Sequence, residues 1–130
     1  MNDKKDMNTK DISTREDIED LIRTFYGKAL DDAQLGPVFK AANFSLAAHI
    51  PVMISFWETI LLDVITYSGN PMRKHMELNR TVTLDPAHFE QWMKIWKETI
   101  TEKFRGPVAE NAMIRADSIA LIIQHKLKQN

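Results

Sequence analysis

One stretch of this chain is built to present a single chemically capable side chain. Asn70-Pro71-Met72-Arg73-Lys74-His75-Met76-Glu77-Leu78 reads as a short helix carrying one histidine. Asn70 is a good N-cap, and Pro71 suits the first helical position, where a missing N–H costs nothing. His75 falls one turn in, flanked by Met72, Met76 and Leu78, before Asn79-Arg80-Thr81-Val82-Thr83 dissolves the periodicity. An imidazole delivered from such a helix is either a metal ligand inside an apolar pocket or a packed histidine, and alone it decides neither. The other histidines, His49, His88 and His125, lie far apart and form no cluster with metal-ligand spacing. A phosphate-cradling Gly-rich loop, G-x-S-x-G, H-E-x-x-H and paired E-x-x-H motifs are all missing.

The elements that must position this imidazole are helices. Ser13 and Thr14 each have an acid three residues on, the capping-box pattern, and open a helix whose apolar face is Ile18, Leu21, Ile22, Phe25 and Ala29. Tyr26 lies at the edge of that stripe. Its ring is expected to be buried with the hydroxyl partnered, either as a tether or as a donor aimed into a pocket. The helix should end near Asp31-Asp32, with Gly36-Pro37 punctuating a turn before Val38-Phe39. Ser45 is the expected cap of a second long helix carrying Leu46, His49, Met53, Phe56, Trp57, Ile60, Leu61 and Val64 on one face, so His49 falls on the buried face or its rim. Pro51 implies that this helix starts later than Ser45 or is kinked. Asp85-Pro86 begins a third long helix with Phe89, Trp92, Met93, Trp96 and Ile100 on its face. After Gly106-Pro107 a last helix buries Val108, Ala112, Ala116, Ile119, Ile123 and Leu127. No segment shows two-residue alternation and no repeat occurs, so the fold class is all-α, a single domain over 13–130 behind a flexible polar leader over 1–12.

The totals narrow the partners. A chain of 130 residues makes one core with room for a small-ligand cavity. With 17 basic and 18 acidic residues the net charge is −1, which gives no electrostatic case for nucleic acid or an anionic membrane. Cysteine is absent, excluding disulfides, thiolate metal sites, iron–sulfur clusters and thioether-attached haem. The N-terminus lacks the apolar segment of a secretory signal, and no run approaches a membrane span, so a cytoplasmic monomer is the expectation.

One cofactor needs a single protein ligand and an apolar, aromatic-lined slot between helices: haem, whose iron takes one imidazole and leaves the other face for a diatomic gas. The sequence supplies phenyl and indole rings to sandwich a macrocycle, and Tyr26 and Trp92 as donors. At this point the chain resembles a known family, the truncated haemoglobins, and within it group III. The resemblance rests on Phe25-Tyr26, Leu35-Gly36-Pro37-Val38-Phe39, His49 with Phe56-Trp57, then Tyr67, Gly69, Pro71 and His75, then His88-Phe89-Glu90-Gln91-Trp92, and Arg115-Ala116 before Ile119-Ala120. It extends from about Ile12 to Leu127.

The resemblance implies a two-over-two helical sandwich holding haem b. It implies His75 as the proximal iron ligand and Tyr26 and Trp92 as donors to a bound gas. It further implies His49 as the distal-helix histidine, Phe39 packed on the haem and Met53 lining the distal cavity. Arg73, Lys74 and Arg80 are the nearest cations in sequence for the propionates. The implied function is reversible binding of O₂, with NO and CO as competitors, at an iron able to stay pentacoordinate. An NO dioxygenase or peroxidase-like activity is the alternative and requires a separate reductase, because the chain has no flavin or nicotinamide domain. A haem-free bundle binding a protein through Met-rich faces is a third reading.

Overall fold

Thr14 starts the first helix and shows why it starts there. Its side chain accepts the Asp17 N–H at 3.1 Å, and the Asp17 carboxylate accepts the backbone N–H groups of Thr14 (3.1 Å) and Ser13 (2.9 Å). Burial alone would raise the Asp17 carboxyl, but the Lys10 ammonium and those two N–H groups hold it at about 2. In the computed structural model, which describes residues 9–41, 45–65, 67 and 84–128, helix α1 runs Arg15–Asp31 and buries Ile18, Leu21, Ile22, Phe25, Tyr26 and Ala29. This is the predicted stripe with Tyr26 added.

A short helix α2, Gly36–Ala41, follows and buries Val38 and Phe39. Gly36 is needed for space, because a Cβ there would stand 2.6 Å from the Leu30 carbonyl oxygen, a backbone atom that cannot swing aside. Helix α3, Leu46–Leu62, is capped by Ser45, whose side chain accepts the Ala48 N–H. It does not start late to avoid Pro51, which lies inside it. The Ala47 carbonyl that loses its partner belongs to an exposed turn, with Ala47, Pro51 and Val52 all exposed, so water serves it at little cost. The helix stops at Asp63, which takes a left-handed conformation at φ 60°.

Helix α4, Pro86–Lys103, has Asp85 as N-cap, proline in the first turn and His88 closing the capping box. Helix α5, Pro107–Lys128, completes the order. Helix α1 packs on both α3 and α4, α4 on α5, and α3 touches α5. The core at their crossing joins Phe25, Ile54, Trp57, Trp96, Ile100 and Ala112. The fold is all-α: no strand occurs among the described residues, only an isolated bridge between Lys10 and Phe104. No described helix is long and apolar enough to cross a membrane.

That bridge belongs to a contact that the sequence reading placed in the leader. Ile12 is 1% exposed, and the Lys10 carbonyl accepts the Arg105 N–H at 2.9 Å. The Asp11 carboxylate accepts the Val108 and Ala109 N–H groups at 3.0 and 2.8 Å, capping α5 from the other end of the chain. Gly106, at φ 144°, makes the turn that permits it; a Cβ there would stand 2.6 Å from the Asp11 carboxyl carbon. Residues 10–12 are therefore part of the folded body, because a helix N-terminus with unpaired N–H groups supplies a partner that a local reading of polar residues cannot see.

Candidate functional site

Between α1, α3, α4 and α5 lies an apolar crevice of about 660 Å³, counting its open mouth. Each wall follows from a helical stripe described above. Helix α1 contributes Ile22, Phe25 and Tyr26, α3 contributes Met53, Phe56 and Trp57, and α4 contributes Phe89, Trp92, Met93 and Trp96. Helix α5 closes it with Ala116, Ile119, Ala120 and Ile123, the alanines one turn apart keeping that wall low.

The rings pack edge to face and offset, as their quadrupoles favour. Phe25 meets Trp96 edge-on at 5.2 Å and lies near-parallel to Trp92 at 6.3 Å. Trp57 and Trp96 stack at 4.8 Å, and the Trp96 indole N–H donates to the Ala112 carbonyl at 3.2 Å, so this pair forms the inner wall. In the sequence Trp57 and Trp96 fall on the apolar faces of their helices. Both are core residues, and both also line the crevice.

Two polar groups stand out against this lining. The Tyr26 hydroxyl lies 2.8 Å from His49 Nε2, with the two rings at 5.3 Å and nearly perpendicular. Tyr26 is 3% exposed, and burial pushes its phenol far above the ordinary value, so it stays protonated and able to donate at any physiological pH. His49 is half-buried, consistent with the rim position read from the α3 stripe. Phe39 reaches in from α2, edge-on to Tyr26 at 6.0 Å and to Trp92 at 6.3 Å. Tyr26, Phe39, His49, Met53 and Trp92, spread over 67 positions of chain from 26 to 92, thus converge on one region.

Asp32 fixes that convergence from outside. Its carboxylate accepts the Gln34 and Leu35 N–H groups, each at 2.9 Å, and the Gln91 side-chain amide at 2.6 Å. Burial opposes the charge on Asp32, but these donors outweigh it and lower its pKa. One carboxylate therefore ties the end of α1 and the turn before Phe39 to the residue next to Trp92. Spacing gave no hint of it, since Asp32 and Gln91 are 59 positions apart.

His75, Arg73, Lys74 and Arg80 lie outside the described residues. Among the described residues no group of three or more His, Asp or Glu side chains could hold a metal ion.

No family model matches the chain. A group 3 truncated haemoglobin of Campylobacter jejuni is 29% identical over 117 residues, covering 87% of this chain and 90% of that protein. The crystal structure of a group III truncated haemoglobin from Campylobacter jejuni superposes with a TM-score of 0.80 and 28% identity, over 92% of this chain and 94% of that one. The chain is thus similar to group III truncated haemoglobins over nearly its whole length and has the truncated-globin fold. That likeness points to haem as the group to test against the crevice.

The residues present fit that group. A flat, largely hydrocarbon macrocycle asks for ring-lined apolar walls and few polar atoms, and the crevice is lined by phenyl and indole side chains with the Tyr26 phenol, paired with His49, among them.

Proposed function

We propose that this chain is a b-type haem globin that reversibly binds a diatomic gas, dioxygen first and NO and CO as competitors. The observation that carries the reading is the Tyr26 hydroxyl, held at 2.8 Å from His49 Nε2 at the edge of an otherwise apolar crevice that Trp92 also lines. Haem, when bound, supplies an iron with one coordination position left open to a gas. The absence of cysteine supports non-covalent attachment. His75 is the residue that would hold the iron, Phe39 and Met53 would pack on the ring, and Arg73, Lys74 and Arg80 would face its propionates.

The rest is the work of this chain's own side chains. Where such an iron would place partial negative charge on a gas ligand, a hydrogen-bond donor in the crevice would stabilise that charge by about 1.5–3 kcal/mol. Tyr26 can be that donor only if its own proton is not already given away. When His49 carries its proton on Nε2, that N–H donates to the phenol oxygen and leaves the Tyr26 O–H free to point at the ligand. With the proton on Nδ1 instead, Nε2 accepts from Tyr26 and withdraws the donor. His49 is in this way a positioning residue for Tyr26. The Trp92 indole can only donate, so it supports a bound ligand in either tautomer.

The test is optical. Purified protein supplied with haem should show a Soret band in ferric and ferrous forms, and a reversible change under dioxygen and CO. Absence of any Soret band would end the haem reading. His75→Ala should lose tight haem binding while far-ultraviolet circular dichroism stays helical. A normal five-coordinate ferrous spectrum in that variant would move the ligand elsewhere.

A further inference from the structure

Asp32 is anchored by its backbone before its side chain acts. Its N–H closes α1 on the Ala29 carbonyl at 3.2 Å, and its carbonyl accepts the Gly36 N–H at 2.9 Å. The carboxylate is thereby aimed, and its two oxygens serve different elements. Oδ2 accepts the Gln34 and Leu35 N–H groups, and the Leu35 carbonyl accepts the Phe39 N–H at 3.3 Å, so this oxygen holds the turn that places Phe39. Oδ1 accepts the Gln91 side-chain amide at 2.6 Å, so the other oxygen holds α4 one residue before Trp92.

The Phe39 ring touches both Tyr26 and Trp92. Tyr26 is carried by α1, Phe39 by α2 and Trp92 by α4. Three side chains from three elements thus meet at one corner of the crevice, and the same three elements meet a second time at one carboxylate. Neither Asp32 nor Gln91 lines the crevice, so their effect on what enters it passes through other residues. The Trp92 indole has one donor in one direction of the ring, and a turn of α4 about its axis swings that N–H away. We propose that the Asp32–Gln91 hydrogen bond fixes the rotation of α4 against α1, and so the aim of the Trp92 N–H at a bound gas, which makes Asp32 and Gln91 positioning residues for ligand retention. The proposal rests on the haem-globin reading and adds to it a control that lies outside the pocket.

The tie depends on matched polarity. An ionised carboxylate only accepts, and the Gln91 side-chain nitrogen only donates. Gln91→Glu therefore sets two acceptors against each other where the hydrogen bond stood, and α4 must turn or shift to part them. Adding Asp32→Asn supplies an amide N–H to the carboxylate at position 91, while the amide oxygen still accepts from the Gln34 and Leu35 N–H groups. Asp32→Asn alone is mild, because the Gln91 amide can rotate and offer its oxygen instead.

Nitrogen-15 NMR of the full chain reads the indole N–H groups of its 3 tryptophans separately, and the Trp92 signal is the one that Trp92→Phe removes. Gln91→Glu should move or split that signal and leave in place the Trp96 indole, which is held on the Ala112 carbonyl. The double variant Asp32→Asn, Gln91→Glu should return it. With haem and CO bound, the C–O stretching frequency falls as a donor approaches. It should therefore rise in Gln91→Glu and recover in the double variant, while dioxygen release quickens by about threefold to tenfold and recovers in step. Asp11→Ala, which uncaps α5 at the far end of the fold, lowers stability and should move neither the Trp92 signal nor the stretch, so a general loosening is told apart from a change of aim. The indole measurement needs no haem, so the two readings fail separately: the lack of a Soret band overturns the haem reading, and an unmoved Trp92 indole in Gln91→Glu overturns the tie. A double variant that fails to recover overturns the inference, and so does a stretch that Gln91→Glu leaves unchanged or that Asp11→Ala shifts equally.

Discussion

Replacing Tyr26 by phenylalanine removes one oxygen atom from the apolar crevice and nothing else. The ring keeps its edge-on contacts with Phe25 at 5.0 Å and Phe39 at 6.0 Å, so the wall should hold its shape. Two energies then separate. The fold loses one hydrogen bond, the 2.8 Å contact to His49 Nε2, at about 0.5–1.5 kcal/mol; the half-buried imidazole can turn to water, which keeps the cost low. A bound dioxygen loses a donor worth about 1.5–3 kcal/mol, or roughly 10- to 100-fold in release rate. Stopped-flow displacement of dioxygen by CO, with wild type, Tyr26→Phe, His49→Leu and the double variant, reads both contributions. His49→Leu should alter the release rate only while Tyr26 is present, giving a coupling of at least about 0.5 kcal/mol in the double-mutant cycle. A Tyr26→Phe rate within twofold of the wild type would refute the donor role. Additive effects in the cycle would refute the positioning role of His49.

Other consequences can be checked without a gas. Burial raises the Tyr26 phenol above its unfolded value of 10.0, so the native state holds a proton that the unfolded chain releases at high pH. Stability from this group is therefore complete below about pH 10. Above it, stability should fall by up to about 1.4 kcal/mol per pH unit, a slope that Tyr26→Phe removes in urea titrations at pH 9–11. At the acid end Asp17, depressed from 3.8 to about 2, contributes stability that is present above pH 3.8 and lost as pH falls toward 2; Asp17→Asn should flatten that limb. Gly36→Ala drives a Cβ to 2.6 Å from the Leu30 carbonyl oxygen and should cost about 1–3 kcal/mol, seen as a melting temperature lower by several degrees. Asp11→Ala strips the cap from Val108 and Ala109 and should cost about 1–2 kcal/mol, with faster amide exchange confined to the first turn of α5.

What could be read from the sequence was whatever is decided within one turn of helix. Thr14 with Asp17, Ser45, and Asp85 before Pro86 are start signals confined to one turn, and each marks its helix start in the structure. The stripe from Ile18 to Ala29 was legible for the same reason, since period 3.6 is a local property. The site was legible only as separate residues. Tyr26 appeared as an edge tyrosine and His49 as a rim histidine, but nothing within either helix says that one nitrogen stops 2.8 Å from one oxygen 23 positions away. That distance is set by how α1 and α3 cross over Phe25, Ile54 and Trp57, a packing outcome of many side chains at once.

The two places where sequence reading stopped short share a cause. Asp11 and Ile12 looked like the end of a polar leader because their partners, the α5 N-terminus and the core, are about a hundred positions away. Ile114, Leu121 and Ile122 were passed over because α5 already had a complete inner stripe from Val108 to Leu127, and a helix needs only one face to be buried. In the first case polar residues found a partner inside the fold; in the second, apolar residues found none there. Both follow from counting what each backbone group and each methyl group touches, and the count for α5 ends with aliphatic side chains facing water.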